Sequence, residues 1–225
     1  CKIVGKYVTG TIVGVNRKNG VVLKCYNVSD ITSTSECNMA GIVGSNDGVI
    51  RYCYNTGELN SFNGAFGIAT YNNGSGLIEF CYNTGNISVL AKHPYAAGVA
   101  GHNLGTIRGC YNTGAITTFI DGDGFSVMGG IAQLSSGKIY ASYNVGTIVS
   151  LELTGNSGGS AQIGGIAGIF GGELYNCYNA GTIKASTGTG SFVAGIAPLA
   201  GENDYIAQVY NAGRLIAGKG AQVGS

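Results

Sequence analysis

A chain of 225 residues is long enough for one continuous core, and 44% hydrophobic residues with a mean hydropathy of +0.20 exclude disorder. With 41 glycines, two prolines and no tryptophan a helical protein is excluded, because Gly is the poorest helix former after Pro, and the glycines lack the every-third spacing of collagen. A net charge of +1 and only 10% charged residues give no electrostatic reason for a nucleic-acid or anionic-membrane partner, and no apolar run reaches the ~18 residues of a membrane span.

Taken in chain order, Lys2-Ile3-Val4 reads as the tail of a strand. Thr11-Ile12-Val13-Gly14 follows, then Val22, the dipeptide Tyr26-Asn27, and Ile31. The same order then recurs. Tyr-Asn returns at 54, 82, 111, 143, 178 and 210, at spacings of 28, 28, 29, 32, 35 and 32 residues. Around it stands a phrase that the second copy spells as Gly48-Val49-Ile50-Arg51-Tyr52-Cys53-Tyr54-Asn55-Thr56-Gly57-Glu58-Leu59. A second phrase precedes it by 13 to 15 residues, as in Gly41-Ile42-Val43-Gly44, Gly98-Val99-Ala100-Gly101 and Gly165-Ile166-Ala167-Gly168. Internal repetition at this period marks a solenoid.

Each unit holds three short apolar segments divided by glycine, too short for helices and suited to strands. The expected fold is all-β: a single parallel β-helix domain over residues 1–225, about seven coils of three strands. Right-handed winding is expected by analogy with parallel crossover connections. Equivalent residues then stack as ladders. Three are apolar and expected in the core: Val22, Ile50, Ile78, Ile107, Ile139, Leu174 and Ile206; Ile31, Leu59, Ile87, Ile116, Ile148, Ile183 and Leu215; and Ile12, Ile42, Ile68, Val99, Ile131, Ile166 and Ile196.

Asn27, Asn55, Asn83, Asn112, Asn144, Asn179 and Asn211 form a complete ladder, expected to face inward and bond its neighbours along the stack. Cys25, Cys53, Cys81, Cys110 and Cys177 form another, with Ser142 and Val209 in the remaining places. Those replacements imply a need for small size, so free, buried, inert thiols are expected. One Cys per coil, with His93 and His102 elsewhere, does not suit a metal.

Strict alternation would put the Tyr ladder outside, making Tyr54, Tyr82 and Tyr111 a candidate platform for a ligand. The Ile-x-x-Cys spacing interrupts that alternation, and the favoured reading turns the rings inward or along the corner, where they only pack. Arg51, Glu79 and Arg108 fall at one position of successive coils, as do Lys138 and Glu173, and are expected to pair between coils and fix register.

The segments 32–40, 60–66, 88–97, 117–129, 149–164 and 184–194 vary most in length and read as loops on one corner, the place where repeat proteins often bind. Asp121 and Asp123 in one of them are weak candidates for Ca²⁺, lacking the further acidic ligands such loops use. Asp30 and Glu58 share an exposed position on adjacent coils, the one arrangement that could suit a glycosidase pair. No cofactor motif is found.

Gly164-Gly165-Ile166-Ala167-Gly168 followed by Gly172-Glu173-Leu174-Tyr175-Asn176-Cys177-Tyr178-Asn179-Ala180-Gly181-Thr182-Ile183 resembles the GLUG motif repeat. The resemblance spans nearly the whole chain. It departs at Ser29 in place of the second Gly, at Ser142 and Val209 in place of Cys, and at Pro198 in place of the closing Gly. Such repeats occur in bacterial surface and secreted proteins, among them adhesin-like proteins and the non-catalytic regions of IgA-cleaving metallopeptidases. The resemblance implies an extracellular β-helical stalk, and it brings no catalytic residue.

The expectation is therefore a non-enzymatic structural or adhesive segment of a bacterial surface or secreted protein, meeting a glycan or protein through the variable corner. A carbohydrate-active β-helix enzyme and a self-assembling fibre subunit are the alternatives. Gly220-Ala221-Gln222-Val223-Gly224 echoes Ser160-Ala161-Gln162-Ile163-Gly164, so the chain reads as a length of a longer array without its own caps. A lipid-bearing role for Cys1 is disfavoured because strand-like sequence begins at once.

Overall fold

The computed structural model describes residues 2–3, 8–33, 35–153, 158–185 and 190–224. Cys1, Val4 and the Gly155-Asn156-Ser157 portion of the glycine-rich loop lie outside them. Among the described residues there is no helix, and 36 short strands stack into five sheets in which every pairing is parallel. The chain is a β-solenoid of about seven turns.

A turn contains five pairing segments rather than three. In the second turn these are Val43–Asn46, Val49–Arg51, Tyr54–Asn55, Leu59–Ser61 and Gly64–Phe66. The three apolar segments seen in the sequence are three of them. Tyr-Asn is a fourth, a two-residue strand in a sheet of seven. The fifth comprises Asn38–Ala40, Gly64–Phe66, Tyr95–Ala97 and their equivalents, whose side chains differ too much from coil to coil to reveal it.

Register follows the ladders, with Ile50 opposite Ile78, Leu59 opposite Ile87 and Asn55 opposite Asn83. The predicted core residues of the middle turns are fully buried, whereas Ile12 at one end and Ile206 at the other are 46% and 38% exposed.

The core has two lobes. One joins the Gly-Ile-Ala and Ile-x-x-Cys segments, with Ile42, Ile50, Cys53, Ile68 and Ile78. The other joins the remaining two sheets, with Met39, Leu59, Ala65, Ile87 and Met128. The Asn ladder stands between them and reaches the opposite backbone. A Cβ on Gly41 would lie 2.8 Å from Asn55 Cγ and 2.3 Å from the carbonyl oxygen of Gly67, so that corner admits no side chain.

Each Asn amide donates twice. Asn55 Nδ2 bonds Asn83 Oδ1 at 2.8 Å and the carbonyl of Gly57 at 2.8 Å, and this pattern runs from Asn27 to Asn211 without a break. Gly85 is stacked so closely on Gly57 that a Cβ would meet its carbonyl oxygen at 2.0 Å. Ser29 stands in this glycine's place after the first Tyr-Asn strand among the described residues.

A second buried ladder escaped the sequence reading. Asn16, Asn46, Asn72 and Asn103 are linked at 2.7–2.8 Å, and Asn103 donates to Ser135 Oγ at 3.0 Å. Its signal is a polar residue four places after each Gly-Ile phrase, which ends where Phe170 takes the position.

The bend between Ile and Cys has a clear cause. Lys24, Tyr52, Phe80, Gly109, Ala141, Asn176 and Gln208 occupy one position of successive turns, and all have positive φ, between 46° and 63°. That left-handed residue turns the chain between two sheets and leaves the next N–H without a strand partner. The thiol column supplies one: Cys25 N–H donates to Cys53 Sγ and Cys53 N–H to Cys81 Sγ, both at 3.4 Å, while Cys110 N–H donates to Ser142 Oγ at 3.1 Å. In these turns the position uses a small side chain that accepts a hydrogen bond, which Cys and Ser share; Val209 in the last turn keeps only the small size.

Two expected outcomes test this account by chemical denaturation. Asn83→Ala strands the amide of Asn55, the side-chain oxygen of Asn112 and the Gly85 carbonyl, and should cost about 2–3 kcal/mol, whereas Cys81→Ser should stay within about 1 kcal/mol. Ala141→Gly relieves a left-handed alanine and should raise stability by about 0.5–1 kcal/mol net of the glycine's greater unfolded-state freedom.

Candidate functional site

The variable segments are mostly strand. In the third to fifth turns both flanking strands lengthen to as much as five residues, as Ile87–Ala91, Ile116–Ile120 and Ile148–Glu152 on one side and Phe125–Gly129 and Ser160–Gly164 on the other. Among the described residues the insertions thus extend two sheets outward as a wing, while 154–157 and 186–189 of the segments read as loops lie outside the described residues. Alternation holds along it: Val89 and Ile120 are buried, while Leu90 points out and is 38% exposed.

On the outer surface of this wing lies a groove of about 360 Å³. Its apolar walls are Phe62, Leu90, Phe119 and Leu153, and its floor includes Thr32, Asn60 and Ser88. Leu90 and Phe119 are direct register partners, and Phe62 directly follows Ser61, the partner of Val89. The groove therefore runs along the rod axis. Phe62 and Leu153 are 46% and 50% exposed, unusual for such large apolar groups side by side. A contiguous hollow at the tips is more polar, with Glu36, Asn63, Lys92, His93 and Asp121 around it.

The chemistry at the tips is already committed to protein partners. Lys92 Nζ lies 2.9 Å from Asp123 Oδ1. Hydrogen bonding to that carboxylate raises the Lys92 pKa, and the same bond lowers that of Asp123. His93 Nδ1 accepts the backbone N–H of Phe125 at 3.2 Å. An ammonium thus stands where a cation bound to Asp123 would sit, and among the described residues no three His, Cys, Asp or Glu groups converge for a metal. Asp30 accepts the backbone N–H of Glu58 at 2.9 Å, which gives that carboxylate a structural task.

The other singled-out residues are placed as follows. Cys53, Cys81, Cys110 and Cys177 are buried free thiols and Cys25 is half-buried; a further free thiol, Cys37, is buried outside the column. Burial pushes Cys177 up to about 11, and Cys25 and Cys81 are raised chiefly by burial too, so these are poor nucleophiles.

The Tyr rings lie outside, between the buried Cys and Asn positions and not inward; of the two forms of the favoured reading, it is packing along the corner that the structure shows. Tyr54, Tyr82, Tyr111, Tyr143 and Tyr178 are half-buried, and all seven rings stack with centroids 4.9–5.0 Å apart and planes within 6°. Each interior ring has both faces covered by its neighbours. Tyr54, Tyr82 and Tyr111 thus present edges and hydroxyls, and no open face for a sugar ring.

Arg51 and Arg108 clamp Glu79 from the turns on either side, and Glu79 is fully buried beneath them. Phe80 carries Arg108 over its ring at 5.8 Å and stacks on Tyr52. Lys138 pairs with Glu173 at 2.8 Å, and Tyr140 donates to the same carboxylate at 2.5 Å.

No family model, no curated protein and no solved structure matches this chain.

Burial pushes the Glu79 carboxyl up, and the bonds from Arg108 and Arg51 outweigh it, leaving its pKa below the ordinary 4.5. A depressed folded-state pKa adds stability that is complete above the ordinary value and is lost as pH falls through the folded one. The stability difference between wild type and Glu79→Gln should therefore be larger at about pH 6 than at about pH 3 in urea titrations. A difference independent of pH would contradict an ionised Glu79.

Proposed function

We propose that this chain is a non-enzymatic rod segment of a bacterial surface or secreted protein, and that it holds a glycan or protein ligand in the groove on its wing. The observation that carries the reading is the cluster of exposed Phe62, Leu90 and Leu153 over a floor of hydroxyl and amide groups. An apolar hollow with a few convergent polar groups is the usual form of a binding site. It lies where the turns differ most, while the remainder of each turn is held constant by ladders.

The resemblance to the GLUG repeat supports the extracellular setting and the stalk role. Of the pair most suggestive of catalysis, Asp30 and Glu58, Asp30 already accepts a backbone amide, and Asp123 of the Ca²⁺ candidates is paired with a lysine, which favours binding over chemistry.

The test is to probe immobilised glycans and extracellular-matrix proteins with the labelled chain. Retention should fall at least tenfold for Phe62→Ser/Leu90→Ser/Leu153→Ser at unchanged circular dichroism. Equal retention by that variant, or polysaccharide cleavage by the wild type, would overturn the reading.

A further inference from the structure

Beside the Tyr ladder runs a second outward column, two residues on: Val28, Thr56, Thr84, Thr113, Val145, Ala180 and Ala212. All seven are exposed. Together the two columns make a face in which no residue carries a formal charge from the first turn to the last. The neighbouring sheet does carry charge, through Arg51, Glu79, Arg108, Lys138 and Glu173. An uncharged, in-register face of a parallel sheet is uncommon on a free surface, where charge normally guards against association.

We propose that this face is a homotypic interface, through which two copies of the chain pack side by side about a two-fold axis. Three features select a second copy as the occupant. The rings are stacked face to face, so a small ligand finds only edges, whereas a ridge of the same pitch can lie in the furrow between the Tyr and Thr columns. A second copy supplies that pitch, because its ridges repeat at the same 4.9–5.0 Å ring spacing. Interdigitation of identical in-register ladders is the packing of paired sheets in steric zippers.

Neutrality is the second feature: the two columns carry no charge, and the columns flanking them carry none from the third turn to the sixth, so the middles of two like faces meet without repulsion in an isologous contact. Area is the third. Six intervals of ~4.8 Å by a width of ~20 Å, which takes in the flanking columns and with them Lys24, Asp30, Glu58 and Arg214 toward the two ends, give on the order of 600 Å² a side, somewhat below the ~800 Å² of a standard stable interface. Such an area fits a reversible dimer of the rods, and the contact leaves the groove on the wing open.

Sedimentation velocity over a hundredfold concentration range tests this. The wild type should pass reversibly from monomer to dimer and stop there. Thr84→Lys/Thr113→Lys places two charges on the exposed column, away from the core, and should remain monomeric with an unchanged melting curve. Ser136→Lys, on an exposed turn of a different face, should dimerise as the wild type does. A dimer-specific dityrosine cross-link on photo-oxidation, absent in the Thr84→Lys/Thr113→Lys protein, would place the ladder at the contact. A monomer at all concentrations overturns the proposal. So does growth beyond the dimer that the paired lysines leave untouched, since it would mean stacking through the coil ends.

Discussion

The structure depends on a side-chain amide that spends both of its protons. A parallel coil needs something that holds its turns in register and something that closes its corners, and Asn does both at one position. One proton ties it to the next turn and the other to a carbonyl two residues ahead, and both bonds repeat through seven turns. Each bond contributes only about 1 kcal/mol net, but a missing member leaves several buried groups unsatisfied at once. The glycines follow from this. The residue two after Asn has no room for a side chain because it stacks on its own equivalent, and Gly41 and its counterparts have none because the Asn side chain reaches them.

That division of labour explains which positions vary. Turns differ in length most on the wing, where added residues extend two sheets outward, and by two residues at the turn after Asn16 and Asn72; neither change disturbs the Asn ladders. The charged residues are few and work mainly between turns, with Glu79 held by the arginines above and below it. Sequence change is thereby directed to the groove, where Phe62, Leu90 and Leu153 lie exposed.

Much of this was legible in the sequence, because a ladder repeats its own evidence. The apolar columns, the Tyr-Asn register and the Arg51–Glu79–Arg108 pairing could be read from position alone. What could not be read was local geometry hidden by ordinary residues. A left-handed conformation is announced by Gly109 in only one turn, and Lys24, Tyr52 and Phe80 disguise it elsewhere. Without that bend the direction of the Tyr rings is ambiguous, and the hydrogen-bonding use of the thiols is invisible. The fifth strand escaped because Met39, Ala96 and Ile163 share burial but no common identity. The groove escaped because Phe62, Leu90 and Phe119, three places after the second apolar column, stand in segments that read as loops, and Leu153 comes from a different offset.

The two-lobed coil also has a mechanical meaning. The backbone bonds joining successive turns lie along the rod axis, so tension applied through the chain loads one turn at a time at whichever end is pulled. The Asn rung makes each turn a unit that lets go as a whole. A turn of 28 residues would release on the order of 100 Å of extended chain when it peels away, and the turn behind it would then meet the same load with its own rung intact. A rod built in this way yields turn by turn, in steps set by the 28 to 35 residues of each turn, and dissipates work at each one.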